Sequence, residues 1–138
     1  MEDCIFCRIL EGRIPCSRVL ENEHVLAFLD IAPVVKGHTL VIPREHVVNI
    51  LDMPPHLAGQ VYIAVQQVGN ALMKGLGAEG FNLGMNNFKA AGQLVMHAHF
   101  HLIPRFSGDG LKLWPQHSYE NDQEMNQVLE RIRSGFKN

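Results

Sequence analysis

The sequence predicts an α+β fold in which a largely antiparallel sheet carries one long helix on one of its faces. One observation is a series of short runs with the composition or the alternation typical of β-strands. A second is a single long stretch, Pro55–Gly75, with helical periodicity. The chain has 138 residues, of which 46% are apolar. We therefore expect one domain over residues 1–138, with a C-terminal tail from about residue 105.

The elements of the N-terminal part are short. Asp3 is placed to cap a helix that continues through Leu10. Ser17–Glu21 and Val25–Asp30 are predicted as two strands around a polar turn. Thr39–Ile42 is a β-rich run between a glycine and a proline, which favours an interior strand.

The long helix is predicted at Pro55–Gly75 because apolar residues recur there at spacings of three and four. The members of this stripe are Leu57, Val61, Ala64, Val65, Val68 and Leu72. Further elements follow in this order: a strand at Phe81–Met85, a polar loop at Asn86–Gln93, a strand at Leu94–Ile103, a surface loop at Ser107–Ser118 and a terminal helix at Asn121–Phe136.

Charge and hydropathy exclude several classes of protein. Twelve basic residues against 14 acidic ones give a net charge of −2, so we expect no nucleic-acid partner. No apolar run reaches about 18 residues, so we expect no membrane-spanning helix. The first ten residues are acidic rather than basic, unlike a signal peptide. The expected location is therefore cytoplasmic.

Histidine is the unusual residue of this composition, with eight copies. His97, His99 and His101 alternate along one predicted strand and would share a face, with neighbours about 7 Å apart. The other face would pack on the core through Met96, Ala98, Phe100 and Leu102. Imidazole serves as nucleophile, proton carrier or metal ligand near neutral pH. Two hypotheses follow: a catalytic zinc with three histidine ligands, or a row of histidines along a phosphate chain, which fits the spacing better.

The two cysteines Cys4 and Cys7 have the spacing found in zinc knuckles, and a closed site would need two more ligands. A redox-active pair and two small core residues are the alternatives. Cys16 is left without a predicted partner.

Several motifs together resemble the histidine triad (HIT) proteins, which are nucleotide-binding hydrolases and transferases. The similarity covers nearly the whole chain, and the motifs stand in the family's order. They are Cys4-Ile5-Phe6-Cys7, Ala27-Phe28-Leu29-Asp30-Ile31, the run from Gly37 to His46 (GHTLVIPREH), Asn86, Gly92-Gln93, and the run from His97 to Arg105 (HAHFHLIPR). The resemblance implies a meander with a five-stranded antiparallel sheet, one long helix and short terminal helices, and a homodimer.

The resemblance also implies roles for the histidines. His99 would be the nucleophile that attacks the α-phosphorus and becomes a nucleotidyl-histidine. His101 would bond the α-phosphate oxygens, and Gln93 would contact the phosphate as well. His38 would support the histidine network. Because positioned donors stabilise this kind of transfer, no magnesium is strictly required.

The nucleotide-binding residues implied by the resemblance surround this row. Asp30 would accept hydrogen bonds from the ribose hydroxyls, and Asn86 would bind on the phosphate or ribose side. Both have a simpler interpretation as turn residues. The candidates for the base pocket are Phe6, Phe28 and Ile31.

Some relatives hold a structural zinc through residues that match Cys4, Cys7, His46 and His97 here. The resemblance then divides the triad, with His97 holding zinc while His99 and His101 carry out the chemistry. One position departs from well-known branches of the family, since Leu94 stands where a Ser or Thr hydroxyl is common. One donor is therefore missing.

The function implied is cleavage at the α-phosphate of a nucleoside phosphoramidate, an acyl-nucleotide or a dinucleoside polyphosphate, with release of a nucleoside monophosphate. A purine nucleotide, with AMP as the product, is the expected ligand. The alternatives are a nucleotide-binding regulatory module with little turnover and a transferase that uses an acceptor other than water.

Overall fold

The computed structural model describes residues 3–137 and confirms the predicted α+β class. A five-stranded antiparallel sheet carries helices on both faces. The elements are α1 (Ile5–Leu10), β1 (Arg18–Glu21), β2 (Val25–Leu29), β3 (Thr39–Pro43), α2 (Pro55–Gly75), β4 (Gly80–Gly84), β5 (Phe100–Arg105) and α3 (Asp122–Ser134). Within these described residues, no helix has the length and hydropathy needed to span a bilayer.

The strand order is β1-β2-β3-β5-β4, so β5 lies inside the sheet and β4 at its edge. The pairing of β3 with β5 places Leu40 opposite His101. The pairing of β4 with β5 places Gly84 opposite the same histidine. The strand β5 is therefore held between two neighbours, which fixes the direction of its side chains.

The helix α2 has the predicted bounds, and all six residues of its predicted stripe are buried. Five of them pack on alternate residues of the sheet, including Val25, Ala27, Val41 and Leu102, while Leu57 packs with Val47 and Ala98. The opposite sheet face is covered by α1 through Phe6 and Ile9. Because both faces are covered, β2 and β3 are buried almost throughout and read as continuous apolar runs.

Two local predictions are wrong. The cap of α1 is Cys4, whose Sγ accepts a hydrogen bond from the backbone N–H of Cys7, and not Asp3. The strand predicted at Leu94–Ile103 begins only at Phe100. The N–H of Ala98 donates to the Val47 carbonyl at 2.7 Å, so the chain before β5 is bound to the β3–α2 connection instead of a neighbouring strand.

As a result, Met96 is 45% exposed and does not pack on the core as predicted, whereas Ala98 and Leu102 are fully buried. His97 and His99 lie in the irregular segment before β5, and only His101 lies on the strand. The three histidines therefore do not share one strand face, and their rings can serve different sites.

Gly37 precedes β3 at a position that only glycine can occupy without strain. Its φ is +100°, and an added Cβ would lie 2.5 Å from Leu76 Cδ1. The next residue is His38, so this close contact between the β2–β3 connection and the end of α2 fixes the backbone of a candidate site residue.

Candidate active site and metal cluster

His99 is 8% exposed and has one ring nitrogen committed to the backbone. Its Nδ1 lies 2.8 Å from the carbonyl oxygen of His97. A carbonyl only accepts, so Nδ1 carries the proton and donates it. The Nε2 lone pair is then available, which is the state required of a neutral imidazole nucleophile.

His101 and His38 form a second hydrogen-bonded unit. The backbone N–H of Val34 donates to His38 Nδ1 at 3.1 Å, so the proton of His38 is on Nε2. That Nε2 lies 2.9 Å from His101 Nδ1 and donates to it. The proton of His101 is therefore on Nε2, which makes Nε2–H a donor.

Burial keeps both of these rings neutral. Burial first, and then the neighbouring His99 and His38, lower the pKa of His101 to about 4, partly opposed by the Asp30 carboxylate. Burial also lowers the pKa of His38, partly opposed by the Asp30 carboxylate. The ring centroids of His99 and His101 are 5.0 Å apart, and those of His101 and His38 are 5.1 Å apart. The three rings form a continuous row, in which burial lowers the pKa of His38 and His101.

Asp30 lies beside this row and also closes a turn. Its Oδ1 accepts from the backbone N–H of Ala32 at 2.9 Å, while Oδ2 is 3.8 Å from His38 Nδ1. The turn interpretation of Asp30 therefore holds for one oxygen, and the second faces the histidine row. Asn86 makes one long contact, from Nδ2 to the Gly92 carbonyl at 3.5 Å, and lines the same groove as His38.

Gln93 is buried and bonded to the backbone of three residues. It is 1% exposed, and its Oε1 accepts from the N–H of Phe88. Its Nε2 donates to the carbonyls of Val48 and Val95, at 2.5 and 3.1 Å. Both amide hydrogens are therefore used within the protein. Gln93 instead ties the loop before the triad to the segment after β3.

Phe88, at the start of that loop, was not singled out from the sequence. Its φ of 71° and ψ of 158° define a positive-φ backbone conformation that glycine adopts much more readily than phenylalanine. The hydrogen bond from its N–H to Gln93 helps to hold it. No sequence pattern predicts a positive φ at this phenylalanine, because the contacts of the folded loop impose that conformation.

The three residues predicted for the base pocket are not equivalent. Phe6 and Phe28 are buried and meet edge to face, with centroids 5.6 Å apart. The Phe6 ring also meets His99 edge to face at 5.1 Å, so it packs directly against the candidate nucleophile. Ile31 is 99% exposed, which leaves it free to contact a ligand.

A groove of about 710 Å³ opens beside the histidine row. His38, His101 and Asn86 line it from the sheet side. The tail contributes the opposite wall through Lys112 and Trp114. These tail residues lie in the predicted surface loop, and their place in the groove depends on a fold-back that the sequence pattern does not reveal.

A second cluster brings together Cys4, Cys7, His46 and His97. His97 Nδ1 is 3.4 Å from Cys4 Sγ and 3.6 Å from Cys7 Sγ. His46 Nδ1 is 3.3 Å from Cys7 Sγ and 3.2 Å from His97 Nδ1. Two ligands on one tetrahedral zinc lie about 3.3–3.8 Å apart, given the usual Zn–N and Zn–S lengths. The residues fit such an ion.

The hydrogen bonds around this cluster also suit a metal. His97 Nε2 lies 2.8 Å from the Pro43 carbonyl and must donate to it, so Nδ1 presents its lone pair to the cluster. Burial and the adjacent Cys4 raise the pKa of Cys7 to about 11. Without a cation the Cys7 thiol is therefore protonated, whereas a zinc ion would stabilise cysteine thiolates and would join α1 to the segments after β3 and before β5.

Leu94 lies on the side of this cluster and not in the groove. It is 87% exposed and lines a cavity of about 530 Å³ together with Cys4, His46 and Met96. In this structure the position where other family members carry a Ser or Thr hydroxyl therefore lies beside the metal cluster.

The chain matches the family model described as the HIT domain over residues 11–108. It is 39% identical over 136 residues to adenosine 5′-monophosphoramidase hnt1 of Schizosaccharomyces pombe, covering 97% of this chain and 98% of the relative. It is 37% identical over 136 residues to adenylylsulfatase HINT3 of Arabidopsis thaliana, covering 95% of this chain and 68% of the relative.

Solved structures show the same architecture. SMU.412c from Streptococcus mutans superposes with a TM-score of 0.91 at 43% identity, covering 99% of this chain and 87% of that one. A zinc-bound histidine triad family protein from Mycobacterium smegmatis superposes with a TM-score of 0.77 at 37% identity, covering 97% and 98%. The matched family model, the shared fold and the triad His97, His99 and His101 lead to one conclusion: this chain belongs to the HIT domain family.

Proposed function

We propose that this chain is a nucleotide hydrolase that cleaves at the α-phosphate and releases a nucleoside monophosphate, AMP in the first instance. The substrate class comprises nucleoside phosphoramidates, acyl-nucleotides and related mixed anhydrides, and dinucleoside polyphosphates. The observation that carries the proposal is the hydrogen bond from His99 Nδ1 to the His97 carbonyl, which leaves Nε2 unprotonated. The relatives named as an AMP phosphoramidase and an adenylylsulfatase support the same class of reaction.

In the first step, His99 Nε2 forms a bond to the α-phosphorus while the bond to the leaving group breaks. The leaving group departs with the electron pair. His101 Nε2–H donates to a phosphate oxygen on which charge develops, and His38 holds His101 in the tautomer that can donate. His38 and Gln93 act as positioning residues.

In the second step, a water oxygen attacks the same phosphorus and the N–P bond breaks. The electron pair returns to His99 Nε2, and the water's proton passes to solvent. In sum, nucleotide and water give nucleoside monophosphate and the leaving group: an amine leaving group takes up, through solvent, the proton that the water releases, whereas an oxyanion departs without one. Asp30 Oδ2 and Asn86 are proposed to bind the ribose and the phosphate side, and Phe6, Phe28 and Ile31 to border the base.

We further propose one structural zinc per chain, held by Cys4, Cys7, His46 and His97. Zinc would supply folding energy through its four protein ligands, and no step of hydrolysis passes through it. We also propose a homodimer, supported by apolar side chains left exposed on α2 and β4, namely Tyr62, Ile63, Phe81 and Leu83. Light scattering of the purified protein tests the dimer.

A mass-spectrometric trap tests the hydrolase. Brief mixing with adenosine 5′-phosphoramidate or a dinucleoside polyphosphate should give a nucleotidyl adduct on His99. His99→Ala should lower kcat at least about a thousandfold, because the covalent route is removed. The matched control is His24→Ala, since His24 is a half-exposed histidine beside Glu23. Full activity in His99→Ala would remove the mechanism.

A nucleotide-binding module with little turnover is the second candidate. It is favoured by one observation, the use of both Gln93 amide hydrogens inside the protein, which leaves fewer donors for the transition state. Tight AMP binding in calorimetry, with no turnover of any of the three substrate types, would select the module over the hydrolase.

A further inference from the structure

The groove beside the histidine row carries one uncompensated positive charge. Its lining includes two cationic side chains, Arg105 and Lys112, and no carboxylate. The Arg105 guanidinium is paired with both oxygens of Asp109. In the part of the chain that the structure describes, Lys112 has no ion pair or hydrogen bond to another residue, and its ammonium is free for a ligand.

The backbone next to Lys112 is fixed by that same ion pair. Arg105 Nε and Nη2 donate to the two Asp109 oxygens at 2.8 and 3.0 Å, and Nη2 also donates to the Leu111 carbonyl at 2.9 Å. Asp109 Oδ1 in turn accepts from the Leu111 N–H at 3.0 Å. Lys112 follows directly on this anchored residue, so its side chain starts from a set point on the groove wall.

The lining of the groove makes it a candidate site for the leaving group of the reaction. His99 does not line the groove, whereas His101 and His38 do. In transfer at phosphorus, the attacking and leaving atoms stand roughly in line on opposite sides. A phosphorus attacked by His99 Nε2 and held by His101 would direct its leaving group away from His99, and the groove that His101, His38 and Lys112 line is where we expect that group to lie.

We propose that Lys112 binds the leaving group and makes the enzyme selective for nucleotides whose leaving group is an oxyanion, such as a sulfate, a carboxylate or a phosphate chain, over those that release a neutral amine. The inference rests on the proposed function and names its substrate class. When the bond between the α-phosphorus and the bridging oxygen breaks, the electron pair stays on the departing oxyanion. The Lys112 ammonium donates to that oxyanion and needs to transfer no proton.

The test compares two substrates that differ in the leaving group. Adenosine 5′-phosphosulfate releases sulfate, and adenosine 5′-phosphoramidate releases ammonia. Lys112→Met should lower kcat/KM for the phosphosulfate about 10- to 100-fold, the range expected for a charge-assisted hydrogen bond. The value for the phosphoramidate should change less than about threefold, and Lys112→Arg should restore most of the loss.

The matched control is Lys74→Met, which removes an exposed lysine of α2 outside the groove and should leave both substrates unaffected. Equal losses on both substrates, or no loss on either, overturn the inference and leave the hydrolase proposal standing. If wild-type protein hydrolyses neither of these substrates, nor an acyl-nucleotide or a dinucleoside polyphosphate, the hydrolase proposal fails instead.

Binding measured without turnover keeps the two proposals separate. In the His99→Asn background, calorimetry should show that Lys112→Met raises the dissociation constant of the phosphosulfate by a factor at least ten times larger than that for the phosphoramidate. An unchanged ratio of the two dissociation constants overturns the role of Lys112. Because the side chain is exposed, the unfolding midpoint of Lys112→Met should match that of wild type.

Discussion

The metal cluster and the histidine row lie next to each other, and both use histidines from the run that ends in β5. They differ in which ring nitrogen is tied to a backbone carbonyl. His97 donates from Nε2 to Pro43 and presents Nδ1 to the two cysteines. His99 donates from Nδ1 to His97 and keeps Nε2 free. One hydrogen bond on each ring therefore distinguishes the proposed metal ligand from the proposed nucleophile.

We expect the largest effect from removing one of the four proposed metal ligands of the cluster. Cys7→Ser should abolish zinc binding and lower the free energy of unfolding by roughly 3–5 kcal/mol, because buried metal ligands lose their common partner. Elemental analysis and chemical denaturation measure the two effects.

The matched control for the cluster is Cys16→Ser, since Cys16 is a partly exposed free cysteine outside it. That variant should keep both its zinc and its stability. Wild-type protein that contains no zinc and is no more stable than Cys7→Ser would contradict the structural role.

Interrupting the row should affect catalysis more than stability. His38→Leu removes the donor to His101 Nδ1 and the acceptor for the Val34 N–H. His101 can then adopt the other tautomer, which has no Nε2–H for the phosphate. We expect kcat to fall roughly 10- to 100-fold with KM nearly unchanged. A loss confined to KM, with kcat kept, would show that His38 acts in binding alone.

A smaller effect concerns the pH dependence of stability. The pKa of His101 falls from 6.5 to about 4 on folding, chiefly through burial. The unfolded chain therefore binds this proton more readily, and the stabilisation from a neutral His101 is complete above pH 6.5 and is lost as the pH falls through about 4. Because the ring is partly exposed, we expect a contribution of about 1–2 kcal/mol.

Denaturation of zinc-loaded protein at several pH values between 4 and 7 measures this slope. His101→Asn should show a shallower dependence than wild type, whatever its absolute stability. The same slope in both proteins would mean that His101 is not a neutral buried group in the folded state.

The sequence predicts the parts of this molecule that depend on regular periodicity. The bounds of α2 and its buried stripe follow from apolar spacing, because a helix repeats its face every three to four residues. The spacing of the two cysteines indicates a candidate zinc site. The family resemblance adds the two histidines that lie beside these cysteines in the structure.

The parts that depend on long-range contacts are not visible in the sequence. The alternation of His97, His99 and His101 looks like one strand, but the hydrogen bond between Ala98 and Val47 places the first two histidines before β5. Gln93 stands in a polar loop, yet the fold buries it and uses its amide to bind backbone groups. Lys112 lines the groove next to Leu111, which Arg105 and Asp109 hold by hydrogen bonds between residues that no sequence periodicity links.

The protonation of the histidine rings tests the central claim most directly. Two-bond ¹H–¹⁵N correlation spectra of zinc-loaded protein at pH 7 report which nitrogen of each ring carries hydrogen. We predict that His99 carries its proton on Nδ1 with Nε2 bare, and that His97 carries its proton on Nε2 with Nδ1 bound to metal. A proton on His99 Nε2, or a free Nδ1 on His97, would contradict the division of labour between these two neighbouring histidines.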